Sequence, residues 1–232
     1  MNASLTLPEL QREIVRVARA LHVRGFVANH EGNVTALTGD GKVLATPTAM
    51  SKGDVRESDL VVLDRAGRRL QGSRKPFSEI PMHLAVYQNR PDVGAVVHAH
   101  PPAATAFAAV RQPVEAFFLP EFIVSIGGKV PLVPFAMPGS ETLNQMLLPY
   151  LEPYDVVLLA SHGVLAWGPD PATALLRVEH VEAAARVLLD ARALGGTPEP
   201  LPEEVVRLLL DARTRAGLGP AGRSRARAVP RS

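Results

Sequence analysis

The stretch Val93-Gly94-Ala95-Val96-Val97-His98-Ala99-His100-Pro101-Pro102 decides how the rest of this chain is read. A short apolar run rich in valine reads as a buried strand, and the paired prolines end it. Side chains alternate across a strand, so His98 and His100, two apart, leave from one face near its end. Neutral imidazole nitrogen suits zinc and related divalent ions, so the two rings amount to half of a metal site. His-x-His alone is equally consistent with histidines that merely line a sheet edge.

Two further segments supply the other half. Tyr154-Asp155-Val156-Val157-Leu158-Leu159-Ala160 has the same strand character and runs into Ser161-His162-Gly163. That places His162 at a strand terminus, next to a glycine that permits a sharp turn or a close approach. Upstream, Lys75-Pro76-Phe77-Ser78-Glu79 leads into a helical segment from Ile80 to Arg90. Ser78 is the expected N-cap, which puts Glu79 in the first turn, where the helix dipole favours a carboxylate. Three histidines and one carboxylate make a chemically complete divalent-metal set. The chain has no cysteine, so a metal site here must be built from His, Asp and Glu.

Around this centre the pattern is mixed. Leu10, Ile14, Val17 and Leu21 recur at helical spacing, with a capping box at Thr6-Leu7-Pro8-Glu9 and a stop at Gly25. Residues 29–38 and 43–46 flank the turn Gly39-Asp40-Gly41-Lys42, a hairpin signal. A strand is expected over Asp59 to Asp64, and helices over Ala103 to Val110, Glu141 to Leu148, Asp170 to Leu189 and Glu203 to Ala212. His83, four residues after Glu79, is read as a packing or hydrogen-bonding residue rather than a ligand. His180 and Glu182 are read as an exposed or interface pair. No Gly-x-Gly-x-x-Gly follows a strand, so the class is α/β without a dinucleotide-binding pattern.

Taken together, Gly32-Asn33-Val34-Thr35, Thr46-Pro47-Thr48, Pro76-Phe77-Ser78-Glu79, His83, Arg90-Pro91-Asp92-Val93, Val97-His98-Ala99-His100 and Ser161-His162-Gly163 resemble the class II aldolase/adducin family. The resemblance covers roughly residues 8 to 195. It implies a three-layer α/β/α sandwich around a mixed, largely antiparallel sheet, and a homotetramer with sites at subunit boundaries. It implies that His98, His100 and His162 hold Zn2+, or another divalent ion such as Mn2+ or Co2+, with Glu79 as fourth ligand and proton shuttle. It assigns Asn33, Thr48, Ala49 and Ser78 to a substrate-binding role.

The activity implied is that of a metal-dependent class II aldolase, a lyase of carbohydrate metabolism. It would cleave or form a C–C bond of a short hydroxy-carbonyl or sugar-phosphate substrate through a metal-stabilised enediolate. In the family, Glu at the position of Glu79 accompanies aldol cleavage, whereas the epimerases carry Asp. Related decarboxylases, dehydratases and 4-epimerases remain as alternatives, as does a non-catalytic adducin-like binding module. Two departures bear on the substrate: Ala49 stands where the family has Gly, and Phe77 where it has Ser. A methyl restricts close backbone approach and a phenyl ring removes a donor, which leaves phosphate recognition open.

A lysine Schiff base is the other way to stabilise such a charge. The four lysines, 42, 52, 75 and 129, all lie in polar, turn-like stretches, and none is expected to be buried. The pI of 9.2 suggests nucleic acid, but six arginines fall in residues 213–232, which contain no acid. Removing them leaves 19 of the 25 basic residues against 23 acidic ones. The expected division is therefore a domain over 1–212 and an Arg-rich, disordered tail over 213–232, with no specific nucleic-acid partner. No cleavable leader and no apolar run near membrane length is seen, so a cytoplasmic, non-membrane protein acting on a small carbonyl compound is expected.

Overall fold

The computed structural model describes residues 5–228, with side chains described through residue 224. Eight helices are α1 (Leu7–Val23), α2 (Ile80–Asn89), α3 (Pro102–Ala109), α4 (Pro120–Ser125), α5 (Glu141–Leu151), α6 (Pro171–Ala193), α7 (Glu203–Arg215) and α8 (Gly219–Ala228). The strands are β1 (Asn33–Leu37), β2 (Val43–Ala45), β3 (Val61–Leu63), β4 (Arg69–Gln71), β5 (Ala95–Ala99), β6 (Val114–Glu115), β7 (Lys129–Val130), β8 (Leu132–Val133), β9 (Val156–Leu159) and β10 (Gly163–Gly168). Eight strands form one sheet in the order β4-β3-β2-β1-β5-β10-β9-β8, antiparallel except for the β8–β9 pair. β6 and β7 make a separate antiparallel pair.

Alternation along the central strands builds two cores. Ala95, Val97 and Ala99 of β5 join Val164 and Ala166 of β10 in a core with Leu10, Ile14 and Val17 of α1, Phe107 of α3 and Val178 and Val181 of α6. Val96, Leu165, Trp167, Val157 and Leu159 point the other way, against Met82 and Val86 of α2 and Leu143, Leu147 and Leu151 of α5. Helices therefore cover both faces of a mixed, mainly antiparallel sheet, the α/β/α sandwich expected. Such a sheet needs apolar residues on both faces, which is why β5 and β9 read as continuous apolar runs rather than alternating ones. The N-terminal capping box is present: Glu9 Oε2 accepts from the Thr6 backbone N–H at 2.8 Å.

Three expectations are corrected. Ser78 does not cap α2; Glu79 occupies the N-cap position and makes no side-chain cap bond, because its carboxylate is turned into the cluster described below. Glu182 is buried rather than exposed, and its carboxylate accepts the N–H groups of Ala103 at 3.2 Å and Ala104 at 2.9 Å, capping α3 from α6. In the Arg-rich segment α7 runs to Arg215 and α8 covers Gly219–Ala228, with 216–218 between them, and the expected boundary at 212 falls inside α7. Residues 229–232 lie outside those described.

The reason is a buried carboxylate. Asp155 Oδ1 lies 2.8 Å from Arg90 Nη2 and 2.9 Å from Arg223 Nη1, and Oδ2 lies 3.3 Å from Arg177 and 3.4 Å from Arg213. Burial opposes the ionised form, but the surrounding guanidiniums hold the carboxyl below its usual range. The arginines also reach carbonyl oxygens: Arg90 those of Leu151 and Tyr154, and Arg213 those of Val124 and Ser125. Arg213 and Arg223 thus fasten α7 and α8 to the body, a long-range pairing that composition cannot show.

Candidate metal centre

The pairing register assembles the site. Asn33 of β1 lies opposite His98 of β5, and Leu165 of β10 lies opposite His98 on the other side. His100 leaves the same face just past the strand end, and His162 arrives in the turn between β9 and β10. That turn places Ser161 in the left-handed region, at φ 54°. Gly163 must be glycine, since a β-carbon there would lie 2.5 Å from the Ala99 carbonyl oxygen and 2.6 Å from His100 Cδ2. Gly32 adopts φ 68°, and a β-carbon there would stand 2.9 Å from the His98 carbonyl oxygen.

The three rings converge. His98 Nε2 lies 3.1 Å from His162 Nε2 and 3.0 Å from His100 Nε2. One ligand nitrogen from each falls within 4.8 Å of the others. Glu79 completes the group, its Oε1 3.2 Å from His162 Nε2 and its Oε2 3.7 Å from His98 Nε2. Asn33 Nδ2 donates to Glu79 Oε2 at 3.0 Å, which fixes the carboxylate's orientation.

Hydrogen bonds behind the rings determine what the cluster offers. His98 Nδ1 lies 2.9 Å from the Val164 carbonyl oxygen, which only accepts, so Nδ1 carries the proton and Nε2 presents a lone pair. His100 Nδ1 lies 3.2 Å from Glu31 Oε2, and the same reasoning leaves its Nε2 lone pair facing inward. Burial is the main cause that lowers both histidines, His98 to about 3. Burial tends to raise Glu79, yet the His162 ring beside Oε1 and the Asn33 amide on Oε2 hold it below the usual carboxylate range. Glu79 Oε1 and Asn33 Oδ1 are buried without a hydrogen-bond donor. Lone pairs facing one another at 3 Å, beside an ionised carboxylate, repel unless a cation lies among them, and this donor set fits a divalent metal.

The substrate-binding candidates lie on two adjoining segments. An antiparallel bridge between Pro47 and Pro76, and a bond from the Thr48 N–H to the Lys75 carbonyl at 3.0 Å, join the segment carrying Thr48 and Ala49 to the one that leads into Ser78. Ala49 takes φ 52°, the conformation glycine would adopt, so the methyl does not prevent the turn. The Phe77 ring is buried, edge-on to His83 at 5.1 Å between centroids, so its bulk goes into the core. His83 is fully buried, with Nδ1 2.8 Å from Thr35 Oγ1, and Thr35 in turn meets Tyr87. Sequence reasoning missed Glu31 and misjudged Lys52. Glu31 carries no signal beyond being an acid beside Gly32. Lys52 is buried, not solvated, and burial pulls its ammonium down to about 8.

The chain is similar to known proteins over most of its length. Residues 12–189 match the sequence model of the family described as Class II Aldolase and Adducin N-terminal domain. The chain is 31% identical over 191 residues to a 3-oxo-tetronate 4-phosphate decarboxylase of Pectobacterium atrosepticum, covering 80% of this chain and 87% of that protein. It is 33% identical over 176 residues to an L-fuculose phosphate aldolase of Methanococcus vannielii, covering 76% and 93% respectively. The solved structure of an L-fuculose 1-phosphate aldolase superposes with a TM-score of 0.80 at 30% identity, covering 91% of this chain and 98% of that one. No helix among the described residues is long and apolar enough to cross a membrane.

Proposed function

This chain belongs to the class II aldolase and adducin family, and from that premise we propose that it is a divalent-metal-dependent lyase. It breaks or forms a carbon–carbon bond of a short sugar phosphate. The observation that carries the reading is the convergence of three imidazole nitrogens beside an ionised glutamate, with two inward lone pairs fixed by Val164 and Glu31. His98, His100 and His162, with Glu79, would hold the ion, zinc or a similar divalent metal. When bound, the ion acts as a Lewis acid toward the carbonyl and adjacent hydroxyl oxygens of the substrate.

The remaining steps belong to side chains of this protein. Asn33 holds Glu79 Oε2 and orients the free oxygen, Oε1, toward the substrate side of the cluster. Glu79, ionised, accepts the proton of the substrate hydroxyl on the carbon that becomes the released carbonyl. As the carbon–carbon bond breaks, its electron pair passes to the carbonyl-bearing fragment, which then takes a proton back from the glutamate. Thr48, Ala49 and Ser78 receive the phosphate through hydroxyls and backbone amides.

A second reading, decarboxylation of a phosphorylated oxo-acid, draws support from the similarity to the Pectobacterium protein. It uses the same charge stabilisation with carbon dioxide as leaving group. A screen of retro-aldol and decarboxylation substrates, phosphorylated and free, with added zinc, manganese or cobalt separates the two. Glu79→Gln is expected to retain the metal and lose roughly a thousandfold in kcat. Undiminished turnover in a metal-loaded Glu79→Gln protein would remove Glu79 from the mechanism.

A further inference from the structure

Burying an ammonium without a counter-charge is costly, and such groups normally pair with a carboxylate. Lys52 is 1% exposed, and its Nζ donates to the carbonyl oxygens of His30 at 3.0 Å and Met50 at 3.1 Å. No acid among the described residues forms an ion pair with it, and burial is the one influence on its protonation. The arginines nearby are already engaged: Arg19 on the Val55 carbonyl, Arg74 on Asp59. Lys52 therefore carries a positive charge that the protein does not itself balance.

Its two carbonyl partners place that charge. His30 precedes Glu31, the residue that faces His100. Met50 follows Ala49, the left-handed residue of the loop that pairs through Thr48 with Lys75. In that loop the backbone N–H groups of Ala49, Met50 and Ser51 have no acceptor among the described residues, and Ala49 is exposed. Successive free amides around a left-handed residue make an anion-binding concavity. One short loop thus joins a row of open amide donors to an unbalanced buried cation.

We propose that Lys52 is the buried counter-charge for the anionic end of the substrate, a phosphate monoester seated on the amides of residues 49–51. Lys52 does not touch the anion. It is a positioning residue that keeps the loop positive and ties it, through His30, to the segment that orients His100. The inference rests on the lyase reading only for what the anion is attached to; the anion site itself is tested without turnover.

The experiment titrates inorganic phosphate into the full-length protein by calorimetry, with metal content measured on the same samples. Lys52→Gln keeps donors for the two carbonyls and removes the charge, whereas Lys52→Arg keeps the charge. The expected result is phosphate binding weakened about tenfold or more in Lys52→Gln and largely preserved in Lys52→Arg, with metal stoichiometry unchanged in both. Lys52→Gln that binds phosphate as tightly as the wild type overturns the proposal, as does a wild-type protein that binds none. A wild type that binds phosphate but no metal overturns the lyase reading alone. If Lys52→Gln does not fold, the wild type labelled with [15N]lysine decides. The protected Nζ signal, assigned by its loss in Lys52→Arg, shifts on adding phosphate but not on adding chloride of equal ionic strength. No shift at saturating phosphate overturns the proposal.

Discussion

Two buried clusters bracket the strand β9, and they are built on opposite principles. At its start, Asp155 is surrounded by Arg90, Arg177, Arg213 and Arg223, and the guanidiniums not spent on the carboxylate reach backbone carbonyls. Beyond its end, His162 meets His98, His100 and Glu79 with lone pairs turned toward each other and two buried oxygens unpartnered. In the first cluster each guanidinium that meets the carboxylate also donates to a backbone carbonyl, and the cluster holds chain to chain. The second gains its missing charge only from a cation. A polar group left unsatisfied in a well-packed interior marks where a ligand belongs, and a saturated one marks where the fold is fastened.

Substitutions that exchange the consequences of the two clusters test this contrast. The largest effect is expected from His98→Ala, which removes the ring shared by both short nitrogen contacts. Metal stoichiometry should fall to near zero and activity by roughly a thousandfold or more, while the chelated variant melts close to the chelated wild type. A variant that keeps its metal breaks the comparison at the site.

Asp155→Ala is the converse. It leaves Arg177, Arg213 and Arg223 without that carboxylate, Arg90 keeping Asp92, and is expected to cost about 3–5 kcal/mol, a drop of roughly 10 °C in Tm, with metal stoichiometry unchanged. Unaltered stability would show that the carbonyl acceptors suffice and that Asp155 is not the fastener.

The smallest effect concerns His83, a fully buried histidine that belongs to neither cluster, although Glu79 lies close enough to act on it. Burial lowers it from the ordinary value to about 3. The unfolded chain therefore takes up a proton below about pH 6.5 that the folded chain refuses until about pH 3. Its contribution is complete above about 6.5 and is withdrawn as the pH falls toward 3. Urea unfolding of chelated protein should lose on the order of 2–3 kcal/mol between pH 6.5 and 4 on account of this group, and His83→Gln should flatten that slope. An identical slope in the variant would mean that His83 is protonated in the folded state.

The order of helices and strands was legible because apolar periodicity acts locally. The four residues of the candidate centre were legible for a related reason. His98 and His100 share a strand face by geometry alone, and His162 and Glu79 stand at element ends that turns and prolines announce. The misreadings share one cause. Lys52, Glu182 and the arginines at 213 and 223 look solvated in sequence because charge normally seeks water. Each is instead drawn inward by a partner from a distant segment: the His30 carbonyl, the N-terminus of α3, and Asp155. Where the Phe77 ring goes was open in the sequence, and only packing shows that it enters the core.

By itself, then, the sequence determined the elements, the two-faced sheet and the residue types that bind a divalent ion. Tertiary structure alone decided which nitrogen of each ring faces inward, which charges are balanced and which loop offers free amides. The physical reason is range. Backbone preference and side-chain alternation are set by neighbours along the chain, whereas the energy of a buried charge depends on every group that folding brings within a few ångströms of it.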